Sequence, residues 1–426
     1  MTRKIIGLLL LGSALGWAQD KVVQRITIAG VINPVAREFI LESIEQAEND
    51  GAELLIIEMD TPGGLMDSMH DIVKRILGAE VPVAVYVSPS GSRAASAGVF
   101  ITMAAHIAAM APGTNIGSAH PVSLGGGTDS VQVLTEKIVN DAVASIRSVA
   151  EKRGRNADWA EKAVRESVNI TETEALQQKV IDYVVPNVDS LLKVVDGREV
   201  EVLSGEKVLH TSHARIEDFQ MSWRQRVLDI LSNPNVAYIL MMIAMSGIAF
   251  ELYNPGSVLP GVIGGICLVM ALYSMQTLPV NYAGVLLIIF AVILFLLEIK
   301  IASYGILTIG GIISFVMGSL MLIETDISFL QISWKVIAGA TITITLFFVL
   351  AIGLVYKAHR RRPTTGKEGL IGEEGVALTD LNPDGSVEVH GEIWTASAEE
   401  PITKGQHVKV EEIDKERLKI KVKPIK

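Results

Sequence analysis

A single cysteine, Cys267, occurs in the 426-residue chain, and it sits inside an apolar stretch. Neither an intrachain disulfide framework nor a cysteine-based metal site can be built from it, so the fold has to stand on its core. Basic charge is also short. The 37 Lys and Arg residues against 47 Asp and Glu leave a formal net charge of -10. Non-specific nucleic-acid binding depends on clustered Lys and Arg, and this balance argues against nucleic acid as a partner. The sequence has no Walker loop and no clustered His and carboxylate set. No nucleotide, metal or other cofactor is expected.

What the chain does have is apolar length. A mean hydropathy of +0.39 is too high for a wholly soluble protein of this size. At the N-terminus, Arg3 and Lys4 precede an apolar run from Ile5 to Leu15, with Gly16 and Ala18 before Gln19. The pattern reads as a cleavable secretory signal over residues 1–18, the run being short for a span of roughly 20 residues. An uncleaved anchor is the alternative, and either way the domain that follows is exported.

From Val22 to about Val185, short β-branched runs such as Leu54–Glu58 and Val83–Val87 alternate with amphipathic patterns such as Pro34–Asn49. This is α/β architecture. A polar, charge-mixed stretch from Asn187 to Asn235 contains a strand-like run near Val200–Leu203 and a surface helix with Trp223, Arg224 and Arg226. It reads as a linker approaching the membrane. The exported domain with its tail is then 19–217, and the membrane-proximal linker 218–235.

The membrane region is 236–357. It holds about five apolar segments, near 236–252, 259–276, 280–299, 302–323 and 334–356, each roughly long enough to span. Gly261, Gly264, Gly265, Gly305, Gly310 and Gly311 are expected to let these helices approach closely. Lys357, His359, Arg360, Arg361 and Arg362 follow the last segment directly. Cytoplasmic flanks carry the excess of Lys and Arg, so the C-terminus is expected inside and, with an odd number of spans, the α/β domain outside. Residues 367–426 alternate as short strands with turn signals at Pro383, Asp384 and Gly385 and at Lys404 and Gly405, as in a small OB-like β-barrel. Only Trp394 offers an aromatic platform there, which favours a protein-interaction or stabilising module over single-strand binding.

The densest chemical signal is Asp60-Thr61-Pro62-Gly63-Gly64, closing the Leu54 strand, followed by Ser92-Arg93-Ala94-Ala95-Ser96-Ala97-Gly98. Small residues around Ser96 allow a helix to start beneath it. That leaves the hydroxyl exposed and the orphan N–H groups of the helix start available to an oxyanion. Ala97 is one candidate donor. Gly64, with no side chain to obstruct an approaching carbonyl, is the other. On its own an Ala-Ser-Ala-Gly run is more often a tight helix start packed against a neighbour.

Asp60–Gly64 and Arg93–Gly98 resemble the oxyanion-loop and nucleophile motifs of the ClpP and crotonase superfamily. With Ala111–Gly117 downstream, the multi-span middle and the C-terminal β domain, nearly the whole mature chain resembles the long form of the nodulation-efficiency protein D (NfeD) family. The resemblance implies a membrane-bound, ATP-independent, ClpP-class serine endopeptidase with a Ser/Lys dyad, matched here by Ser96 and Lys137. It further implies a polypeptide substrate with apolar segments, a stomatin- or prohibitin-like membrane partner and a homo-oligomer. Lys137 opens a helical pattern with Ile138, Val139 and Ala142 beside Glu136, and the plain reading of such a lysine is a solvated helix residue. To serve as base it needs a pKa well below about 10.4, which burial or nearby positive charge would supply. His120, followed by Pro121, resembles the ClpP catalytic histidine and is the alternative base, although it also reads as a residue that fixes its loop. His70 and His106 read as surface or structural. Two rival functions stay open, a crotonase-like enzyme acting on acyl thioesters and a non-catalytic membrane scaffold for a stomatin- or prohibitin-like protein.

Overall fold

The structure, a computed structural model, describes residues 21–425 apart from 123–128, 277, 302, 304, 324, 326–329, 360–369 and 415–418. The expected signal segment 1–18 and the basic residues Arg360, Arg361 and Arg362 lie outside the described residues. The chain divides into two units, one within Met1–Lys300 and Ile306–Thr341 and the other within Ile301–Gly305 and Ile342–Lys426.

The first unit opens with β1 (Val22–Ala29), α1 (Pro34–Asn49), β2 (Leu54–Asp60), α2 (Met66–Leu77) and β3 (Val83–Val87). Asn33 caps α1 by accepting the Ala36 N–H at 2.8 Å, and Pro34 takes the first helical position, where its missing N–H costs nothing. The helix buries Phe39, Ile40, Ile44 and Ala47. Both β2 and β3 are apolar nearly throughout, as strands covered on both faces must be. Then come β4 (Arg93–Ala95), α3 (Ala97–Ala104), β5 (Ile107–Met110), β6 (Asn115–Gly117), α4 (Asp129–Lys152), α5 (Ala157–Arg165), β7 (Asn169–Thr171), α6 (Glu172–Gln177) and β8 (Tyr183–Val184). After them lie α7 (Val188–Val195), β9 (Glu199–Val202), β10 (Gly205–Val208), β11 (Arg215–Asp218) and α8 (Trp223–Leu231).

A six-stranded parallel sheet runs β11-β1-β2-β3-β5-β8, with Val23 beside Leu54 and Leu55 beside Val83. Its carboxyl edge is where an open α/β sheet places its site. The Asp60–Gly64 turn leaves β2 there and pairs through Thr61 with Ala94 of β4, which belongs to a small sheet ordered β4-β6-β7.

The stretch from 187 to 235 differs from the linker reading. Helix α7 buries Val188, Leu191, Leu192 and Val195 in a core shared with Tyr86 and Ile107, and β11 forms the sheet edge beside β1. Helix α8 packs on α1, where Gln225 Nε2 donates to Glu42 Oε2 and Asn33 Nδ2 donates to Asp229 Oδ1, each at 2.8 Å, while the Phe39 and Phe219 rings stack 5.8 Å apart. These partners lie nearly two hundred positions away in sequence. A polar stretch gives no local sign of such pairing.

The apolar segments form α9 (Pro234–Tyr253), α10 (Val258–Met275), α11 (Tyr282–Lys300), α12 (Ile306–Met321) and α13 (Trp334–His359). Helices α9, α10 and α11 are long and apolar enough to cross a membrane, while α12 and the Trp334–Phe347 part of α13 are shorter apolar helices. Among the described membrane-region glycines, backbone approach is closest at Gly247, where an added Cβ would lie 2.4 Å from Pro260 O; at Gly264 it would lie 2.9 Å from Ala244 O, and Gly265 and Gly305 face open space.

The second unit holds β12 (Glu374–Ala377), β13 (Asp384–Val389), β14 (Glu392–Ser397), β15 (His407–Asp414) and β16 (Lys419–Pro424), closed as β12-β13-β14-β16-β15. Alternate residues such as Val387 and Val389, Val408 and Val410, and Ile420 and Val422 fill the interior. The closed, OB-like order leaves no open sheet edge.

Candidate active site

Ser96 sits at the junction between β4 and α3 with φ 51° and ψ −112°, a region that costs a non-glycine residue of order 1–3 kcal/mol. A sharp strand-to-helix turn of this kind lifts a serine hydroxyl clear of the sheet. The turn is held from both sides. The Ser96 N–H donates to Gly117 O at 3.2 Å, and Ser96 O accepts the Val99 N–H at 3.0 Å. One residue back, Ala95 N–H donates to Thr61 O at 3.1 Å, and Thr61 N–H donates to Arg93 O at 2.8 Å. Asp60 Oδ1 accepts the Arg93 N–H at 3.0 Å. Helix α3 is buried along its whole length, so it has no freedom to carry Ser96 elsewhere.

The glycine pair opposite is required by space. Gly63 has φ +120°, and a Cβ there would overlap Ser96; at Gly64 a Cβ would lie 2.2 Å from Ile32 O. Ile32 N–H donates to Gly63 O and Leu65 N–H to Ile32 O, which fixes the loop. Among the described residues, neither the Gly64 N–H nor the Ala97 N–H, at the first position of α3, has an acceptor within the protein. Ser96, Gly64 and Ala97 line one cavity of about 140 Å³ together with Met66, Met69, Phe100, Ala142 and Leu330. Side chains around the serine are apolar.

Lys137 is not among the residues lining this cavity. It is exposed on α4, whose buried residues among those described include Val139, Ala142, Val143 and Ile146. At about 3.6 residues per turn, Lys137 faces away from that set. Ala142 is the α4 residue that reaches the cavity. His120 is half-buried, and its Nδ1 donates to Val164 O at 2.8 Å; Ala119 and Pro121 on either side line the cavity, but His120 does not.

His106 is 6% exposed and accepts the Val83 N–H on Nδ1 at 3.1 Å. Burial, reinforced by the charges of Arg153, Arg155 and Lys152, pushes its pKa down to about 3. It is a neutral structural group and is not among the residues that line the cavity. His70 is half-buried on α2. Among the described residues, no group of three or more His, Cys, Asp or Glu side chains is arranged to hold a metal.

Two contributors escaped the sequence reading. Gly117 supplies the carbonyl that holds Ser96, and its motif was visible without a role attached. Leu330 comes from the membrane region, and nothing local in the sequence marks it.

Three family models match in succession: "NfeD1b, N-terminal domain" over residues 22–210, "NfeD integral membrane domain" over 235–353 and "NfeD-like C-terminal, partner-binding domain" over 367–424. The membrane-bound protease PH1510 of Pyrococcus horikoshii is 34% identical over 379 residues, covering 86% of each chain. The membrane protein NfeD1b of Bacillus subtilis is 28% identical over 423 residues, covering 95% of this chain and 93% of its own. Among solved structures, a lysine-to-alanine variant of the 1510-N membrane-bound stomatin-specific protease, in complex with a substrate peptide, is 32% identical with a TM-score of 0.46, covering 50% of this chain and 98% of that one. ClpP1 from Listeria monocytogenes is 20% identical with a TM-score of 0.33, covering 39% of this chain and 94% of that one. With a relative this similar along most of both chains and its three parts matched in order, the chain belongs to the NfeD family of membrane proteins.

Proposed function

We propose that this chain is an ATP-independent, membrane-bound serine endopeptidase. Ser96 Oγ attacks the peptide carbonyl while Lys137 takes its proton, and the tetrahedral oxyanion sits between the N–H groups of Gly64 and Ala97. Lys137 returns the proton to the leaving amine, and water then hydrolyses the acyl-enzyme. The observation that carries this reading is the strained turn at Ser96, beside two N–H groups without an acceptor in the protein, on residues that line the same apolar cavity.

The base role makes a demand on Lys137. Its side chain is solvated, and a lysine deprotonates serine only when its pKa falls well below about 10.4. Substrate binding has to carry the ammonium against Ser96 and strip its water. His120, turned to Val164 O, is the alternative base.

The substrate in this reading is an apolar segment of a stomatin- or prohibitin-like membrane protein. Support comes from the stomatin-specific relative and from the partner-binding description of the C-terminal family model. Three crossings or five, both odd numbers, leave the catalytic domain outside when the basic flank after α13 is cytoplasmic. Self-association into a homo-oligomer belongs to the same proposal. A second reading, a non-catalytic scaffold for such a partner, is favoured by the outward face of Lys137.

The test is cleavage of an apolar peptide by the full chain in detergent, for wild type, Ser96→Ala, Lys137→Ala and His120→Ala. Loss with the first two and retention with the third supports the dyad. Loss with His120→Ala and retention with Lys137→Ala moves the base to His120. A rate indifferent to Ser96→Ala leaves the scaffold.

A further inference from the structure

The cavity at Ser96 is assembled from two distant parts of the chain. Every lining residue but one lies between Gly64 and Ala142; the exception is Leu330, from the segment that joins α12 to α13. Leu330 is 6% exposed, so it is seated against other groups. Its segment is tied to the start of the membrane helices, because the Ser333 N–H donates to Asn235 Oδ1 at 2.8 Å. Nearby Ile332 is 8% exposed.

Leu330 also lines a second cavity of about 210 Å³. That cavity is bounded by Gly30, Val31 and Asn33 at the end of β1, by Met221, and by Pro234 and Leu278 at the ends of membrane helices. Leu330 therefore lines both the cavity that holds Ser96 and a space that reaches the membrane-spanning region.

We propose that Leu330 is a specificity-determining residue, forming the membrane-side wall of the pocket that receives an apolar substrate side chain next to the bond Ser96 attacks. Among the described residues the pocket offers Met66, Met69, Phe100 and Leu330 and no charged side chain, so a charged substrate group entering it would be desolvated without a partner. Its size is set by a side chain that the catalytic domain does not itself contain. Preference among apolar side chains then depends on the membrane region being folded and attached. This inference rests on the protease reading, but the pocket can be tested apart from the chemistry.

The experiment uses the full chain in detergent with Leu330→Ala, Leu330→Trp and the near-isosteric Leu330→Met. Fluorescent peptides carry Ala, Leu or Phe at the residue preceding the scissile bond. Cleavage is followed with Ser96 intact, and peptide binding is followed by polarisation in a Ser96→Ala background. Leu330→Ala is expected to shift the Phe-to-Leu ratio of kcat/KM roughly tenfold toward Phe, since pocket methylenes discriminate at about that level. Leu330→Trp is expected to weaken Leu and Phe peptides about tenfold while sparing Ala, and Leu330→Met to keep the wild-type ratios. Wild-type ratios in both Leu330→Ala and Leu330→Trp, for cleavage and for binding, overturn the proposal. Binding that follows residue 330 in a chain that cleaves nothing would sustain the pocket and sink the protease reading.

Discussion

Gly63 and Ser96 face each other so closely that a Cβ at position 63 would lie 2.6 Å from Ser96 Cβ and 3.1 Å from Ser96 Oγ. The glycine is thus part of the space that the serine occupies. Because φ at Gly63 is +120°, a side chain there is strained before it meets anything. Gly63→Ala is expected to push the hydroxyl off its position and lower kcat about a hundredfold, the scale of a misplacement near 1 Å. Steady-state kinetics beside a thermal unfolding curve check this. A variant that loses only stability would show that the contact is structural.

The pH dependence of cleavage separates the two candidate bases. A lysine base acts deprotonated, so kcat/KM rises with pH toward a plateau, with its inflection displaced below the ordinary lysine value of about 10.4. Lys137→Arg is expected to remove the inflection and to lower the rate by roughly 10² to 10⁴, since guanidinium keeps its proton. An unchanged profile in Lys137→Arg, together with an inflection near the ordinary histidine range that disappears in His120→Asn, assigns the base to His120.

His106 makes stability fall as the medium becomes acidic. Its pKa, near 6.5 in the unfolded chain, is about 3 when folded, so the stabilisation is fully present above the unfolded value and is lost as pH falls from there toward 3. The slope for this one group approaches about 1.4 kcal/mol per pH unit. His106→Asn keeps an acceptor for the Val83 N–H and is expected to flatten the profile between about pH 6 and 4. Thermal midpoints of both proteins across that range provide the comparison, and parallel slopes would count against His106 as the cause.

Asp182 anchors a buried cation beneath the core. Its Oδ2 accepts from Arg155 Nη2 and from the Ala108 N–H, each at 2.8 Å, and its Oδ1 accepts from Arg198 Nη2 at 3.1 Å. Arg155 is 3% exposed in its side chain and also donates to Met103 O and Ala105 O at the end of α3. Burial raises the Asp182 pKa, but the Arg155 charge, the Ala108 N–H and Arg198 outweigh it and hold the carboxyl below its usual range. Its contribution is therefore complete above the ordinary carboxylate pKa and is lost as pH falls through the depressed value. Asp182→Asn leaves the Arg155 guanidinium buried without its counter-charge, at a cost of about 3–5 kcal/mol. Denaturant midpoints measure this, and a change below 1 kcal/mol would mean that backbone carbonyls alone satisfy Arg155.

Much of the α/β framework was legible because it is written locally. The runs Leu54–Asp60 and Val83–Val87 are apolar enough to be strands covered on both faces, and Asn33-Pro34 signals the start of α1. The barrel strands alternate with period two between turn residues. Strand β11 was not legible: Arg215-Ile216-Glu217-Asp218 is mostly polar, and it becomes a strand through backbone pairing with β1. Helix α8 looked like a surface helix because its partners, Glu42 and Asn33, are remote in sequence.

At the site, the sequence by itself determined which residues occupy the turn around Ser96, because only small residues fit where β4 runs into α3 against Gly63 and Gly64. It also determined that the chain enters a membrane, through apolar helices long enough to cross one. Tertiary structure alone decided that α4 presents Ala142 to the serine and Lys137 to solvent, and that Leu330 closes the cavity from the membrane region. The physical reason is that a turn is fixed by the sterics of adjacent residues. The direction a helix face points, and the company a distant leucine keeps, are fixed by how whole elements pack.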